Sequence, residues 1–154
     1  MITIMGPLPF DSSDGHSYEL ANGIFSRFPI LGTSSRWINE PQGAGGYDDQ
    51  YRAYVEATVD VHGAPMTVGT THMSYTRRFV DTPRKKQEVD RLVECIDGHK
   101  TGYILAGDLN SRPRSYAVRS IAKHLQHAGP PVDHKTWTTK PFSHQGLSLI
   151  HISR

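Results

Sequence analysis

The 154-residue sequence has a single cysteine, Cys95, so no disulfide can form within the chain and the fold owes nothing to oxidation. It has no run of 18 or more apolar residues, which excludes a membrane-spanning helix. The start, Met1 to Pro7, carries no basic residues ahead of an apolar stretch, so no secretory leader is expected and a soluble, cytoplasmic location is the default. Charge of either sign is in short excess: 17 Lys and Arg stand against 15 Asp and Glu, a formal net of +2. Nonspecific binding to a phosphate backbone needs clustered cations rather than a slight surplus, so an anionic substrate has to be argued from a site. There is no internal repeat and no low-complexity tract. What is present is ordinary for one packed domain, with 36% hydrophobic and 21% charged residues, too apolar for a disordered chain.

Along the chain, Asn22 to Ile30 (NGIFSRFPI) reads as a strand, expected over 23–28 and closed by Phe28-Pro29, with a loop after it. Residues 39–50 hold Pro, Gly, Ala and an Asp pair and read as loop. From Tyr51 to Asp60 apolar Ala53, Val55, Ala57 and Val59 alternate with Tyr54, Glu56, Thr58 and Asp60, the period-two pattern of a strand with one buried face, expected over 52–60. His62-Gly63-Ala64-Pro65 supplies a turn, and 66–72 returns as the second strand of a hairpin, ending on His72.

After Pro83 the spacing changes. Val89, Leu92, Val93 and Ile96 follow the i, i+3, i+4, i+7 rule, which predicts a helix over 83–97 with Thr82 as its cap and Pro83 in its first turn. The continuous apolar run 103–107 reads as a strand buried on both faces, and a second helix is expected over 115–127, capped by Ser115. Interleaved strands and helices predict an α/β layered domain.

The sharpest local feature is Gly107-Asp108-Leu109-Asn110 at the end of that buried strand. It sets a carboxylate and an amide two residues apart, on the same side of extended backbone. A hard cation such as Mg²⁺ takes oxygen donors and keeps several waters, so one carboxylate plus a substrate phosphate can suffice. An Asx turn, in which Asp108 and Asn110 only satisfy backbone N–H groups, is the other reading of the same four residues. His72 suits general acid or base work or a hydrogen bond to phosphate, or is a structural strand-end histidine. Arg52 can bind phosphate through its planar fork, or is a solvated surface arginine.

Taken together and in order, these segments resemble the endonuclease/exonuclease/phosphatase superfamily, the metal-dependent phosphodiesterases related to pancreatic deoxyribonuclease. Residues 22–30 resemble its "GNAILSRFPI" strand, and Arg52 stands where an arginine opens the next strand. Thr71-His72-Met73 is similar to its "THL", and Gly107-Asp108-Leu109-Asn110 to its "GDxN". Asp133 with Thr136-Trp137-Thr138 is similar to the segment ahead of its last strands.

The resemblance implies a four-layered α/β/β/α sandwich with its site at one end of the packed sheets. It implies hydrolysis of a phosphodiester or phosphomonoester by in-line attack of water, with Mg²⁺ or Mn²⁺ as cofactor. It assigns catalysis to His72, Asp108 and Asn110, phosphate binding to Arg52, and metal ligation to Asp108 and Asn110. The partner it implies is a phosphorylated substrate, whether nucleic acid, phospholipid or sugar phosphate; no obligate protein partner is inferred.

The family's upstream metal-binding glutamate has no counterpart here, Glu19 standing too close to the "SRFPI" segment, and its closing "SDH" is absent, since Asp133-His134 precedes Trp137. Residues 1–146 are therefore expected to form a partial domain, truncated at both ends, with 147–154 a non-native tail that adds no packed strand. A noncatalytic fragment or pseudoenzyme that binds a phosphorylated ligand through Arg52, His72 and Asn110 is the competing reading. A His-rich metal module, drawing on His124 and His127 three residues apart on the expected second helix, is a third.

Overall fold

In the computed structural model, residues 21–43, 49–99 and 102–128 are described, together with the backbone of strands at 2–4, 9–11, 17–19 and 152–153. The strands are β1 (Ile2–Ile4), β2 (Pro9–Asp11), β3 (Ser17–Glu19), β4 (Asn22–Ile24), β5 (Ile30–Asn39), β6 (Arg52–Val61), β7 (Ala64–His72), β8 (Tyr103–Asp108), β9 (Gln126–His127) and β10 (Ile152–Ser153); the helices are α1 (Pro83–Asp97) and α2 (Tyr116–Ile121). A six-stranded sheet runs in the order β5-β6-β7-β8-β10-β9, beside the two-stranded ladders β1-β4 and β2-β3. The sheet is mixed: β7 and β8, joined by α1, pair parallel, and every other neighbour pairs antiparallel. A mixed sheet with helices packed on it is an α+β arrangement, in keeping with the layered domain of strands and helices expected.

The alternation in β6 divides the core. Tyr54 faces α1 and α2 in a cluster with Ile38, Val89, Leu92, Ile96, Tyr103, Leu105 and Ile121, while Val55 and Ala57 meet Ile24 and Ile30 on the opposite face. The sheet thus carries helices on one side and the β4 segment on the other. The α1 boundaries are those predicted: the Thr82 hydroxyl accepts from the Lys85 N–H and Pro83 opens the first turn. Cys95 is buried in this cluster, and burial pushes its thiol pKa up, as for an inert core thiol.

Four expectations need correction. The strand expected over 23–28 stops at Ile24, because the Ser26 hydroxyl accepts the Phe28 N–H at 2.9 Å and turns the chain. Where a loop was expected, β5 forms; it is an edge strand, and residues 31–37 are exposed on both faces, so no alternation marks them. The second helix ends at Ile121 rather than 127: Ala122 caps it, turns follow, and Leu125 reaches the core from outside the helix. His127 therefore lies in β9, so the helical His124/His127 pairing behind the His-rich reading is not formed. Finally, Ile152–Ser153, within the segment expected to add no packed strand, pairs with Leu105 and Ile104 on one side and with His127 and Gln126 on the other. Asp133, His134 and the Thr136-Trp137-Thr138 segment lie outside the described residues.

One polar network lies at the helix face of the sheet. The buried Tyr54 and Tyr103 hydroxyls are 2.9 Å apart, and Tyr54 donates to Glu56 at 2.6 Å. Ser34 and the His99 ring also reach Glu56, each at 2.8 Å. Burial alone would raise the Glu56 carboxyl, but these hydrogen bonds and the nearby His99 bring it below its ordinary value. Gly69 makes room for the tyrosine pair: a Cβ there would stand 2.4 Å from the Tyr103 oxygen and 2.7 Å from the Tyr54 oxygen. Gly69→Ala is expected to destabilise the chain by about 1–3 kcal/mol, the usual cost of overpacking. Urea unfolding checks this, and an unchanged midpoint would show that the pair is not closely packed.

Candidate active site

The parallel β7–β8 pairing sets His72 opposite Asp108, with Thr71 opposite Gly107. A side chain at Gly107 would put a Cβ 2.1 Å from the Thr71 carbonyl oxygen, so glycine is what lets the two strand ends approach. The ladder continues one step past the strands, where the Met73 N–H donates to the Asp108 carbonyl at 2.8 Å. His72 Nε2 then stands 4.0 Å from Asp108 Oδ2.

Asn110 completes the cluster. Its backbone N–H donates to Asp108 Oδ1 at 2.8 Å, which is the Asx turn, and its Nδ2 donates to the Met73 carbonyl at 2.8 Å. The turn and the convergence thus coexist, and they hold Asn110 at a left-handed φ of 44°. Asparagine tolerates that region better than most residues, and such strain gathers at functional sites.

Arg52 lies at the same end of the sheet, since Tyr54 pairs with Thr71 two residues along β6. It was expected at the rim of the site as a phosphate-binding arginine, with a solvated surface arginine as the other reading. It is 9% exposed, with one terminal nitrogen donating to Gln50 Oε1 at 2.6 Å and its Nε buried with no hydrogen-bond partner. Burial weighs against its charge, while Glu88 and Asp108 favour it.

Beneath these residues α1 supplies two charges that the sequence reading passed over. Lys85 and Glu88 are each 1% exposed. Lys85 Nζ donates to the carbonyls of Ser74 at 2.6 Å and Leu109 at 2.9 Å, joining the segment after β7 to the segment after β8. Burial, opposed by Glu88 and Asp108, draws its pKa down to about 8. Glu88 Oε1 accepts the Ser74 N–H at 2.8 Å, and its Oε2 is buried without a hydrogen-bond partner. The signal was available: Lys85, Glu88, Val89 and Leu92 share the i, i+3, i+4, i+7 stripe, so two charges fall on the buried face.

Asp108 offers carboxylate oxygens and Asn110, with its nitrogen committed to Met73, offers its carbonyl oxygen. Oxygen donors of this kind fit a hard divalent cation that keeps waters in its remaining positions. Among the described residues there is no group of three or more His, Cys, Asp or Glu side chains that could hold a metal. His72 has its pKa lowered, first by burial and then by the Arg52 charge, against the opposing pull of Asp108. The lowered pKa favours the neutral ring, in which one nitrogen can accept and the other donate. The expected imidazole titration, followed by NMR, has its midpoint below 6.5. Arg52→Gln removes a lowering charge and should raise that midpoint; no change, or a fall, would separate the two side chains.

The comparisons with known proteins follow the same lines. The family model described as Endonuclease/Exonuclease/phosphatase family matches residues 5–148. Among solved structures, the human Nocturnin catalytic domain with bound sulfate anion is similar with TM-score 0.63 at 15% identity, covering 99% of this chain and 60% of that one. A Bacteroides thetaiotaomicron protein of the same family matches with TM-score 0.57 at 14% identity, over 82% of this chain and 51% of that one. A mannosyl-6-phosphatase from the same organism matches with TM-score 0.55 at 14% identity, over 82% of this chain and 53% of that one. At these identities the likeness is one of fold, and the chain spans roughly half to three fifths of the length of these structures. A search of curated proteins returned no match.

Proposed function

The chain belongs to the endonuclease/exonuclease/phosphatase family, and from that premise we propose that it is the site-bearing part of a divalent-metal-dependent phosphoesterase that hydrolyses a phosphodiester or phosphomonoester by in-line attack of water. The observation that carries this reading is the convergence of His72, Asp108 and Asn110 at the ends of β7 and β8. The fold relatives include a mannosyl-6-phosphatase and a domain that holds a sulfate anion, which supports a phosphorylated substrate.

In this reading Asp108, with the Asn110 carbonyl, would hold Mg²⁺ or Mn²⁺, which would supply neutralisation of the charge developing on the phosphoryl oxygens. In its neutral form His72 donates a hydrogen bond to a phosphate oxygen, beside Asp108, whose Oδ2 stands 4.0 Å from Nε2. Arg52 adds positive charge below the phosphate. Its buried, unpartnered Nε is a donor that an anion would satisfy, and an unmade buried hydrogen bond is costly. Asn110 is held by two hydrogen bonds before substrate arrives, so it need not reorganise as charge develops.

A second reading, phosphate binding without turnover, is favoured by the small metal-ligand set among the described residues. The two separate by activity. In the domain at the full length of its structural relatives, bis-p-nitrophenyl phosphate should be hydrolysed with Mg²⁺ or Mn²⁺ and the reaction should stop with EDTA. Asn110→Ala should lose on the order of 100-fold in kcat, as removal of a preorganised group does. The 154-residue chain should be far slower, because catalytic groups that act as a unit fail together. Full turnover without metal, or normal turnover by Asn110→Ala, would contradict the assignment.

A further inference from the structure

Two loops flank the site, residues 73–82 after β7 and 109–115 after β8, and hydrogen bonds stitch them together. Asp108 and Met73 join backbone to backbone, Asn110 reaches Met73, Lys85 bridges Ser74 and Leu109, and Asp81 accepts the Tyr116 N–H at 2.9 Å. They carry four arginines, Arg77, Arg78, Arg112 and Arg114, and one carboxylate, Asp81, which is already engaged. Four arginines against one aspartate give the two loops a formal net of +3, beside +2 for the whole chain.

All four arginines are exposed, and none makes an ion pair or side-chain hydrogen bond among the described residues. They are also held in place by backbone rather than left on slack chain. Arg78 and Phe79 both adopt left-handed φ, 58° and 55°, inside a turn closed by Thr76 Oγ1 to the Val80 carbonyl at 2.7 Å and by the Tyr75–Phe79 ring contact. Arg112 and Arg114 bracket Pro113 in a turn closed by the Ser115 N–H to the Arg112 carbonyl at 2.9 Å. Arg112 is two residues from Asn110, so its Cα lies within about 7 Å of that residue and its side chain can reach a group bound beside the site.

We propose that these paired loops form a second anion subsite, one that takes a phosphate of the substrate other than the phosphate at His72 and Asp108. The substrate is therefore a molecule with at least two phosphates. Guanidinium forks bind phosphate through parallel hydrogen bonds, and four unpaired ones on the loops that leave the strand ends bearing His72 and Asp108 favour an extended polyanion over a lone phosphomonoester. This inference rests on the phosphoesterase reading of the site, but binding tests it without turnover.

Calorimetry on the 154-residue chain at low salt would compare adenosine monophosphate, adenosine 3′,5′-bisphosphate and an eight-nucleotide thymidine strand. At least one of the two multiply phosphorylated probes should bind ten or more times tighter than the monophosphate, with the advantage shrinking as salt rises. A gain for both points to any second phosphate; a gain for the strand alone points to phosphates at polynucleotide spacing. Arg112→Gln and the pair Arg77→Gln with Arg78→Gln should each reduce the advantage at least fivefold and leave monophosphate binding and the melting temperature unchanged. Arg27→Gln should not, because Arg27 sits over Phe28, which packs on His62 at the opposite end of β7. Equal affinity for all three probes, or an advantage that survives the loop substitutions, would overturn the subsite. Binding through the loops with no hydrolysis in the full-length domain would sink the phosphoesterase reading and leave the subsite standing. Hydrolysis without any preference for a second phosphate would do the reverse.

Discussion

Everything at the site depends on how closely β8 can lie against β7. Parallel strands exchange evenly spaced, slanted hydrogen bonds and need a crossover, here α1, to bring the chain back in register. Gly107 decides whether the last rung forms, because the Thr71 carbonyl occupies the space a side chain would need. With that rung in place His72 and Asp108 become neighbours, Met73 bonds to the Asp108 backbone, and Asn110 is drawn back over Met73. The glycine of the Gly-Asp-Leu-Asn segment is thus a packing requirement, and the chemistry of the two residues after it follows from the packing.

The crossover helix also places charge under the site. Burying an ammonium, a carboxylate and a guanidinium is unfavourable unless each finds partners. Lys85 has two carbonyls, Glu88 has the Ser74 N–H, and Arg52 has Gln50, yet one atom each of Glu88 and Arg52 stays without a hydrogen bond. A packed apolar core would be simpler, so these charges are retained at some cost in stability where they shape the field around His72. Arg52 and Lys85 both oppose protonation of that ring and Asp108 favours it.

How much of this was legible in the sequence differs from element to element. Helix α1 was readable to its ends because Thr82 and Pro83 mark its start and the apolar spacing marks its face. Strand β6 was readable from the period-two set Ala53, Val55, Ala57 and Val59, although Tyr54 is buried on its other face as well, and β8 was readable as a short apolar run, although its burial alternates, with Tyr103 and Leu105 buried and Ile104 and Ala106 only partly so. Strand β5 was hidden because an edge strand exposed on both faces imposes none on Gly32, Thr33, Ser34 or Ser35. The Asp108 and Asn110 pair stood out locally, whereas the contact with His72 is set by a register across an intervening helix that no local pattern encodes. Lys85 and Glu88 were passed over because charges on a helix ordinarily face water; only their position on the apolar stripe marks them as buried.

The described residues contain three histidine–carboxylate pairs: His72 with Asp108, His99 with Glu56, and His124 with Asp97. Only the first lies where β7 and β8 converge and where Asn110 adds an oxygen donor, so a divalent cation should choose it over the other two. Titrating Mn²⁺ into the ¹⁵N-labelled chain and following paramagnetic broadening decides between them. The expected result is that signals of residues 72–73 and 108–110 broaden first and together, and that Asp108→Asn abolishes the effect. Broadening centred on His99 or His124, or on 72–73 and 108–110 independently of each other, would contradict a single metal-binding phosphoesterase site at this end of the sheet.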